Sequence, residues 1–222
     1  MSNQHEYLNN GDYEKYLRNL PAAVLDYFYK EELFFKDNVK PGTTILDVGC
    51  GEARTTVPLA VHIGPQGKLI GIDFNRKMYD LAKSKTSVLK NVKLYHLDAR
   101  KLEKLPQSFD TIMLPYTFLS LLQKQDQAIV LEKAREKLKP KGQVLATLYS
   151  EYALPLQMTI YQSLWKPHTL RADANYAYVD AVNYSCERFS KNKIKNLFAK
   201  AGLSTKISKL NEFTYSVKAR VL

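Results

Sequence analysis

The stretch ILDVGCGEARTT, residues 45–56, joins an apolar run to two glycines that lie two positions apart. An apolar run of this length is typical of a buried strand. Glycines directly after a strand allow a tight turn and let the backbone approach a ligand closely. We therefore predict a strand, a ligand-binding turn and the start of a helix here, with the carboxylate of Asp47 beside the turn.

Short β-rich runs alternate with helical segments from residue 43 onwards. This alternation predicts βαβ units and a parallel sheet with helices on both faces, which is the α/β class. Only three residues separate the last two strand-like runs, too few for a parallel crossover, so this pair is predicted to be an antiparallel hairpin. The predicted strands cover residues 43–49, 68–74, 92–98, 109–115, 142–150, 205–210 and 214–221, and the predicted helices cover 55–64, 75–88, 123–139 and 190–202.

The net charge of +11 favours acidic partners such as RNA, anionic lipid or a negatively charged metabolite. The excess is uneven, because residues 191–222 contain eight Lys or Arg and the single acid Glu212. Neither clustered arginines nor a nucleic-acid-binding module accompanies it. We therefore interpret the charge mainly as a solvated, lysine-rich surface and keep RNA as the lesser alternative.

The cysteine content and the N-terminal residues indicate a cellular compartment. Cys50 and Cys186 form neither a disulfide framework nor a metal-ligand spacing, which suits a reducing environment, and no metal site is expected. The first 17 residues are polar, without the apolar segment of a secretory signal. No stretch approaches the ~20 apolar residues of a membrane-spanning helix. We expect a cytoplasmic protein with no membrane span.

Carboxylates lie on or at the ends of the first three predicted strands. Asp47 lies near the end of the first strand, and Asp73 and Asp98 end the next two. Ligands of open α/β sheets bind beyond the carboxyl ends of the strands, where a carboxylate can accept both hydroxyls of a ribose. Asp73 suits the ribose and Asp98 suits an adenine amino group, so the pattern predicts an adenosine ligand.

The residues of the loop argue against a nicotinamide dinucleotide. Arg54 stands where the third glycine of G-x-G-x-x-G is needed. Asp47 and Glu52 flank the loop, and their negative charge disfavours a pyrophosphate. The terminal hairpin also departs from a plain doubly wound sheet. A positively charged sulfonium nucleoside fits this environment better.

The chain resembles the class I S-adenosylmethionine-dependent methyltransferases, of the small-molecule type related to ubiquinone and menaquinone methylases. LDVGCGEART resembles the first motif of the family, LDxGCGxGxxT, although Ala53 replaces its third glycine. Four further segments resemble later motifs in the right order, and Lys141 replaces a glycine in the last of them. These segments are IGIDFNRKMYDLAK, HLDARKL, SFDTIMLPYTF and LKPKGQVLATLYS.

The resemblance implies a Rossmann-like doubly wound sheet of seven strands in the order 3-2-1-4-5-7-6, with strand 7 antiparallel. It also implies S-adenosyl-L-methionine as the cofactor. Leu114 stands where amino-directed nucleic-acid methylases need a polar group, which argues against methylation of adenine N6. The cofactor-binding residues we predict are Asp47, Gly49, Cys50, Gly51, Asp73, Phe74, Asp98, Ala99 and Leu114, with Tyr13 and Tyr16 as a lid.

Within a single methyltransferase domain we distinguish four parts. Residues 1–40 form an N-terminal helical lid, and residues 41–150 form the cofactor-binding core. Residues 151–189, rich in aromatic side chains, form a substrate cap inserted after the fifth strand. Residues 190–222 form the final helix and the strand hairpin.

Two residues are predicted to act on the methyl acceptor. Tyr116 follows the fourth strand and can orient a nucleophile or face the sulfonium through a cation–π contact. His168 lies in the predicted cap and is the best general-base candidate, because imidazole titrates near neutrality. His96, on the third strand, is assigned instead to the core.

The predicted reaction is transfer of a methyl group to an N, O or C atom of a small molecule, for which the net charge favours an anionic acceptor. The aromatic segment 151–189 supports a small acceptor because it is suited to building a pocket. An RNA methyltransferase and a non-catalytic S-adenosylmethionine-binding protein share the cofactor motifs and stay open. A nicotinamide oxidoreductase is the least favoured alternative.

Overall fold

The computed structural model of the chain describes residues 20–164, 169–180 and 184–222. The helices are α1 (Ala22–Asn38), α2 (Thr56–Ile63), α3 (Arg76–Lys85), α4 (Lys124–Glu136), α5 (Leu154–Leu164) and α6 (Lys191–Lys200). The strands are β1 (Thr44–Val48), β2 (Lys68–Asp73), β3 (Val92–His96), β4 (Phe109–Leu114), β5 (Leu138–Tyr149), β6 (Leu170–Ala172), β7 (Tyr176–Val179), β8 (Tyr184–Glu187), β9 (Leu203–Lys209) and β10 (Thr214–Val221).

Seven of these strands form the main sheet, in the order β3-β2-β1-β4-β5-β10-β9. The first five pair in parallel, whereas β10 pairs antiparallel with both β5 and β9. Numbered along the chain within this sheet, the order is 3-2-1-4-5-7-6, as predicted. The antiparallel hairpin is confirmed as well.

Side chains that alternate along each central strand create a core on both faces of the sheet. Leu46 and Ile70 pack on one face with α4 and α6, whereas Ile45 and Leu69 pack on the other face with α1 and α2. Near-continuous apolar strands are what a sheet covered on both faces requires. The carboxyl ends of β1 to β4 therefore remain as the edge at which polar groups can gather.

Local signals explain where several helices begin and end. Asn75 and Ser190 have extended backbones, and their side chains accept hydrogen bonds from Met78 N and Lys193 N at the starts of α3 and α6. Each satisfies a backbone N–H that lacks a helical partner. Gly202, with φ +75°, follows α6 in the left-handed conformation that glycine adopts without strain.

The segment between β5 and α6 builds a separate layer. After β5 comes α5, and β6, β7 and β8 then form an antiparallel sheet of their own. Tyr161 and Tyr184 lie in its core, where Val24 of α1 also packs. The start of α1 therefore contacts this insertion, and the rest of α1 contacts the main sheet.

One histidine differs from its prediction. His96, which the sequence predicts to lie in the core, is exposed, and its Nε2 lies 2.7 Å from the carbonyl oxygen of Phe74. The reason is that β3 is an edge strand, so one side of it has no neighbouring strand. Among the described residues, no helix has the length and apolar character needed to cross a membrane.

Candidate functional site

The loop after β1 wraps onto the end of β2 through its own amides. The N–H groups of Gly49 and Cys50 both donate to Ile72 O, at 2.8 and 2.9 Å. The N–H of Gly51 donates to Asp73 Oδ2 at 2.9 Å. These three amides point into the protein, so they are not available to a pyrophosphate. This geometry supports the argument against a dinucleotide.

The two glycines of the loop are needed for different reasons. Both have positive φ, 71° at Gly49 and 54° at Gly51. A Cβ on Gly49 would lie 2.6 Å from the ring of Phe118, so this position is filled by the protein itself. A Cβ on Gly51 would meet nothing within 4 Å. Only Gly51 therefore leaves open space beside the loop for a ligand.

Asp73 is held rigidly at the carboxyl end of β2. It is 8% exposed, and its Oδ1 accepts from Asn75 N at 2.8 Å while Oδ2 accepts from Gly51 N. Burial raises the pKa of Asp73, although these backbone hydrogen bonds act in the opposite direction. Each oxygen keeps a lone pair for a further donor. The adjacent Phe74, a residue that is 43% exposed, offers an apolar ring at the same edge.

Asp47 is a buried carboxyl group with an oxygen that lacks a partner. Its Oδ2 accepts from Thr56 Oγ1 at 2.7 Å, and Oδ1 has no hydrogen-bond partner among the described residues. Burial raises the pKa of Asp47 to about 7. A buried acceptor without a donor is costly, and a cationic ligand would remove that cost.

Asp98 has a partner that the sequence argument missed. Its oxygens accept from Arg100 N at 2.8 Å and from Arg100 Nε at 3.0 and 3.1 Å. Burial acts to raise the pKa of Asp98, but the hydrogen bonds and charge of Arg100 outweigh it and hold the pKa below its usual value. Ala99 follows as the first residue of a 3-10 helix. Arg100, two positions after Asp98 in the sequence, is the signal from which this pairing could have been predicted.

Two predicted cofactor residues are directed into the core. Leu114 is fully buried in the cluster between the main sheet, α4 and α6. Cys50 packs against Ala53 and Ala82, and burial raises the pKa of its thiol far above the usual value. Cys50 therefore has no nucleophilic character here.

The segment after β4 has an unusual backbone. Tyr116 and Thr117 are consecutive residues with φ 47° and 55°. This is the left-handed region of backbone conformation, which residues other than glycine rarely adopt. The Tyr116 ring stacks on Tyr27 with centroids 6.0 Å apart, and it meets the Phe28 ring edge-on at 5.0 Å. The guanidinium group of Arg54 lies over this ring, with its Cζ atom 5.4 Å from the ring centroid.

Glu31 of α1 is the residue of this site that sequence analysis missed. Its carboxylate is 0% exposed and accepts from Tyr27 OH at 2.6 Å, Thr147 Oγ1 at 2.5 Å and Tyr116 N at 2.7 Å. Its other oxygen forms an ion pair with Arg54. The signal was present, because an acid shares the buried helix face of Val24, Tyr27 and Phe35.

The structure therefore brings together the loop after β1, the end of β2 and the turn after β4, which α1 covers. Asp98 lies nearby at the next strand end, paired with Arg100. Three predicted residues, Tyr13, Tyr16 and His168, lie outside the described residues. Their assigned roles stay predictions.

Comparison with known proteins agrees with this arrangement. A family model described as a methyltransferase domain matches residues 39–202. A demethylmenaquinone methyltransferase of Staphylococcus aureus (strain JH9) is 31% identical over 150 residues, which are 68% of this chain and 61% of the relative. The match thus spans less than two thirds of the length of that relative.

Solved structures share the fold at low sequence identity. A SAM-dependent methyltransferase from Aquifex aeolicus superimposes with a TM-score of 0.65 at 20% identity, covering 91% of this chain and 94% of its own. An S-adenosylmethionine-dependent methyltransferase from Clostridium acetobutylicum gives a TM-score of 0.64 at 16% identity, with 94% and 96% covered.

Proposed function

The chain belongs to the methyltransferase-domain family, of the class I S-adenosylmethionine-dependent type, and we propose that it transfers a methyl group to an N, O or C atom of a small-molecule acceptor. The observation that carries this proposal is the pair of carboxylates beside the glycine loop. Asp73 is fixed by two backbone amides, and the Oδ1 atom of Asp47 is buried without a donor.

The residues of this edge fit the cofactor. Asp73 would accept the ribose hydroxyls, and Asp47 Oδ1 would accept the ammonium of the methionine portion. Phe74 would cover a face of the adenine, and the open space at Gly51 would admit the ligand. When bound, the cofactor supplies a methyl group already activated by a sulfonium.

The protein then has to bind the cofactor and the acceptor, orient them relative to each other and exclude water. Holding reactants in line contributes ~7–11 kcal/mol to the lowering of a barrier. The turn after β4 touches the glycine loop where the Phe118 ring packs on Gly49, so residues of this turn are suited to align an acceptor. The layer formed by α5 and β6–β8 would cover the side of the site at which the acceptor binds.

Calorimetric titration with S-adenosylhomocysteine tests the cofactor assignment. Wild-type protein should bind, and Asp73→Ala should abolish measurable binding because the ribose acceptor is lost. Asp80→Ala is the matched control, since Asp80 lies on the exposed face of α3 and pairs only with Arg76 among the ion pairs found in the described residues. Binding of NAD instead, or full affinity in Asp73→Ala, would contradict the proposal.

The class of acceptor requires a separate measurement. The layer of α5 and β6–β8 carries the partly exposed aromatic side chains of Tyr176 and Tyr178, which supports a small molecule with apolar surface. Filter binding to RNA across a range of salt concentrations is the contrasting test. A steep loss of affinity with added salt would transfer the proposal to an RNA acceptor.

A further inference from the structure

Resting on the proposed function, we infer that Glu31 is a positioning residue for methyl transfer: its carboxylate holds Tyr116 and Thr117 in the left-handed conformation beside the glycine loop. Glu31 does not touch the reacting atoms in this assignment. It acts through the turn after β4, whose backbone would form the wall between methyl donor and acceptor.

The first argument is backbone strain. A non-glycine residue in the left-handed region costs of the order of 1–3 kcal/mol, and here two such residues follow one another. Strain of this kind persists only where surrounding contacts over-determine it. Phe118 N–H closes the turn on Pro115 O at 3.0 Å, and the side chain that anchors the turn from outside is Glu31, whose Oε1 accepts from Tyr116 N–H at 2.7 Å.

The second argument is that Glu31 is itself held in place from several directions. Thr147 on β5 and Tyr27 on α1 both reach the Oε1 atom, and Arg54 pairs with Oε2. A fully buried carboxylate with this many donors is a fixed anchor. The strained turn is thus tied to α1, to β5 and to the loop after β1.

The third argument is the location of the strained turn. Phe118, the next residue along, fills the space over Gly49, and Thr117 is 3% exposed. A rotation of the backbone at Tyr116 or Thr117 would therefore move a ring that rests on the glycine loop. The conformation that Glu31 stabilises sets the shape of both sides of the reaction centre.

The test is nuclear magnetic resonance on the full chain. Backbone chemical shifts and scalar couplings report φ at positions 116 and 117, and S-adenosylmethionine labelled with carbon-13 in its methyl group reports the surroundings of that group. In Glu31→Met, which has no oxygen to accept from Tyr116 N–H, we expect both residues to leave the left-handed region and the bound methyl resonance to move. S-adenosylhomocysteine affinity should fall less than about fivefold, because Asp73 and Asp47 are unchanged.

The matched control is Glu32→Met, on the next position of the same helix. Glu32 is partly exposed and pairs with Lys36. This variant should leave φ at Tyr116 and Thr117 and the methyl resonance as in the wild type. If Glu31→Met, while folded, keeps both residues in the left-handed region, the inference is wrong.

A rescue variant separates positioning from simple structural support. Thr117→Gly removes the side chain that makes the left-handed conformation costly. In the double variant with Glu31→Met, the left-handed φ at position 117 should return and the methyl resonance should move back towards the wild-type value. No recovery would overturn the inference, since a residue that only docks α1 gains nothing from a glycine at 117.

Two provisions keep the test decisive. If Glu31→Met does not fold, Glu31→Asp retains the charge but shortens the reach to Tyr116 N, and the same change in φ is expected; an unchanged φ would contradict the inference. If wild-type protein binds no S-adenosylmethionine, the proposed function fails, whereas the torsion measurements in the free protein still decide whether Glu31 holds the turn.

Discussion

The region proposed to bind the methyl donor, the donor edge, is formed by the loop after β1 and the end of β2. Its contacts differ from those of the turn after β4, which is the proposed wall between methyl donor and acceptor. At the donor edge Asp73 bonds to Gly51, 22 residues away, and Asp47 bonds to Thr56, nine residues away. At the wall, Glu31 bonds to Tyr116 and Thr147, which are 85 and 116 residues away. The donor edge depends on one βαβ unit, whereas the wall requires α1 to be docked.

This difference explains why the two regions differ in sequence signal. Neighbouring strand ends and their loop carry a compact motif because the hydrogen bonds of Asp47 and Asp73 are made within a short piece of chain. The wall is made by a buried ion pair and a strained turn that meet only after folding. We expect changes at the wall to reduce stability and changes at the donor edge to reduce ligand affinity.

The largest effect is predicted for Glu31→Ala. Removing one partner of a buried ion pair leaves Arg54 and the N–H of Tyr116 without their acceptor, which costs about 3–5 kcal/mol. Urea denaturation measures this loss. Glu32→Ala on the exposed face should cost less than about 1 kcal/mol. Equal losses in the two variants would contradict the buried anchor.

Substitution of each glycine in the loop after β1 tests whether Gly49 and Gly51 have different roles in the donor edge. Gly49→Ala should lose about 2–3 kcal/mol of stability, because positive φ and the Phe118 ring both oppose a methyl group. Gly51→Ala should lose about 1 kcal/mol from positive φ alone. In ligand titration the order should reverse, since only the methyl at 51 occupies the open space. Equal stability losses in thermal denaturation would contradict the assignment.

The pH dependence of donor affinity tests Asp47. The pKa of this carboxyl group is about 7 in the folded protein, above its ordinary value, so the folded state holds a proton that the unfolded state has lost. Its contribution to stability is therefore lost as pH rises from about 4 to 7. A cationic ligand needs the ionised form, so S-adenosylhomocysteine affinity should rise up to about tenfold per pH unit below 7 and then level off.

The variant Asp47→Asn provides the control for this pH profile. Its amide does not titrate, so the affinity should be weaker and flat between pH 5.5 and about 7. Calorimetry at four or five pH values is sufficient. A wild-type profile without a slope would mean that Asp47 does not contact the ammonium.

The smallest effect is expected at Lys141 and Ala53, two residues that stand where the methyltransferase motifs have glycine. Lys141 is exposed with φ 66°, so Lys141→Gly should stabilise the protein by about 0.5–1 kcal/mol. Ala53 has φ 71° but is buried, so the strain that Ala53→Gly relieves is offset by lost packing and the net change should be near zero. Thermal denaturation of both variants measures the difference. A loss of stability in Lys141→Gly would contradict the strain.

The sequence by itself determined the sheet and the donor edge. Alternating apolar runs place β1 to β5 in parallel, and a three-residue connection can only join β9 and β10 as an antiparallel pair. Asp47, Gly51 and Asp73 follow from the motif because strand ends of one parallel sheet meet at one edge. Each of these inferences uses a short stretch of chain and a geometric rule.

Only the tertiary structure decided the other half of the site. It directed Leu114 and Cys50 into the core, exposed His96, and placed Arg54 between Glu31 and the aromatic rings of Phe28 and Tyr116. No local pattern encodes these contacts, because the partners of a buried charge are chosen by whichever distant elements pack around it. In the sequence, Glu31 does not differ from other acidic residues of a helix, because its partners Tyr116, Thr147 and Arg54 come close only when α1 packs on the sheet.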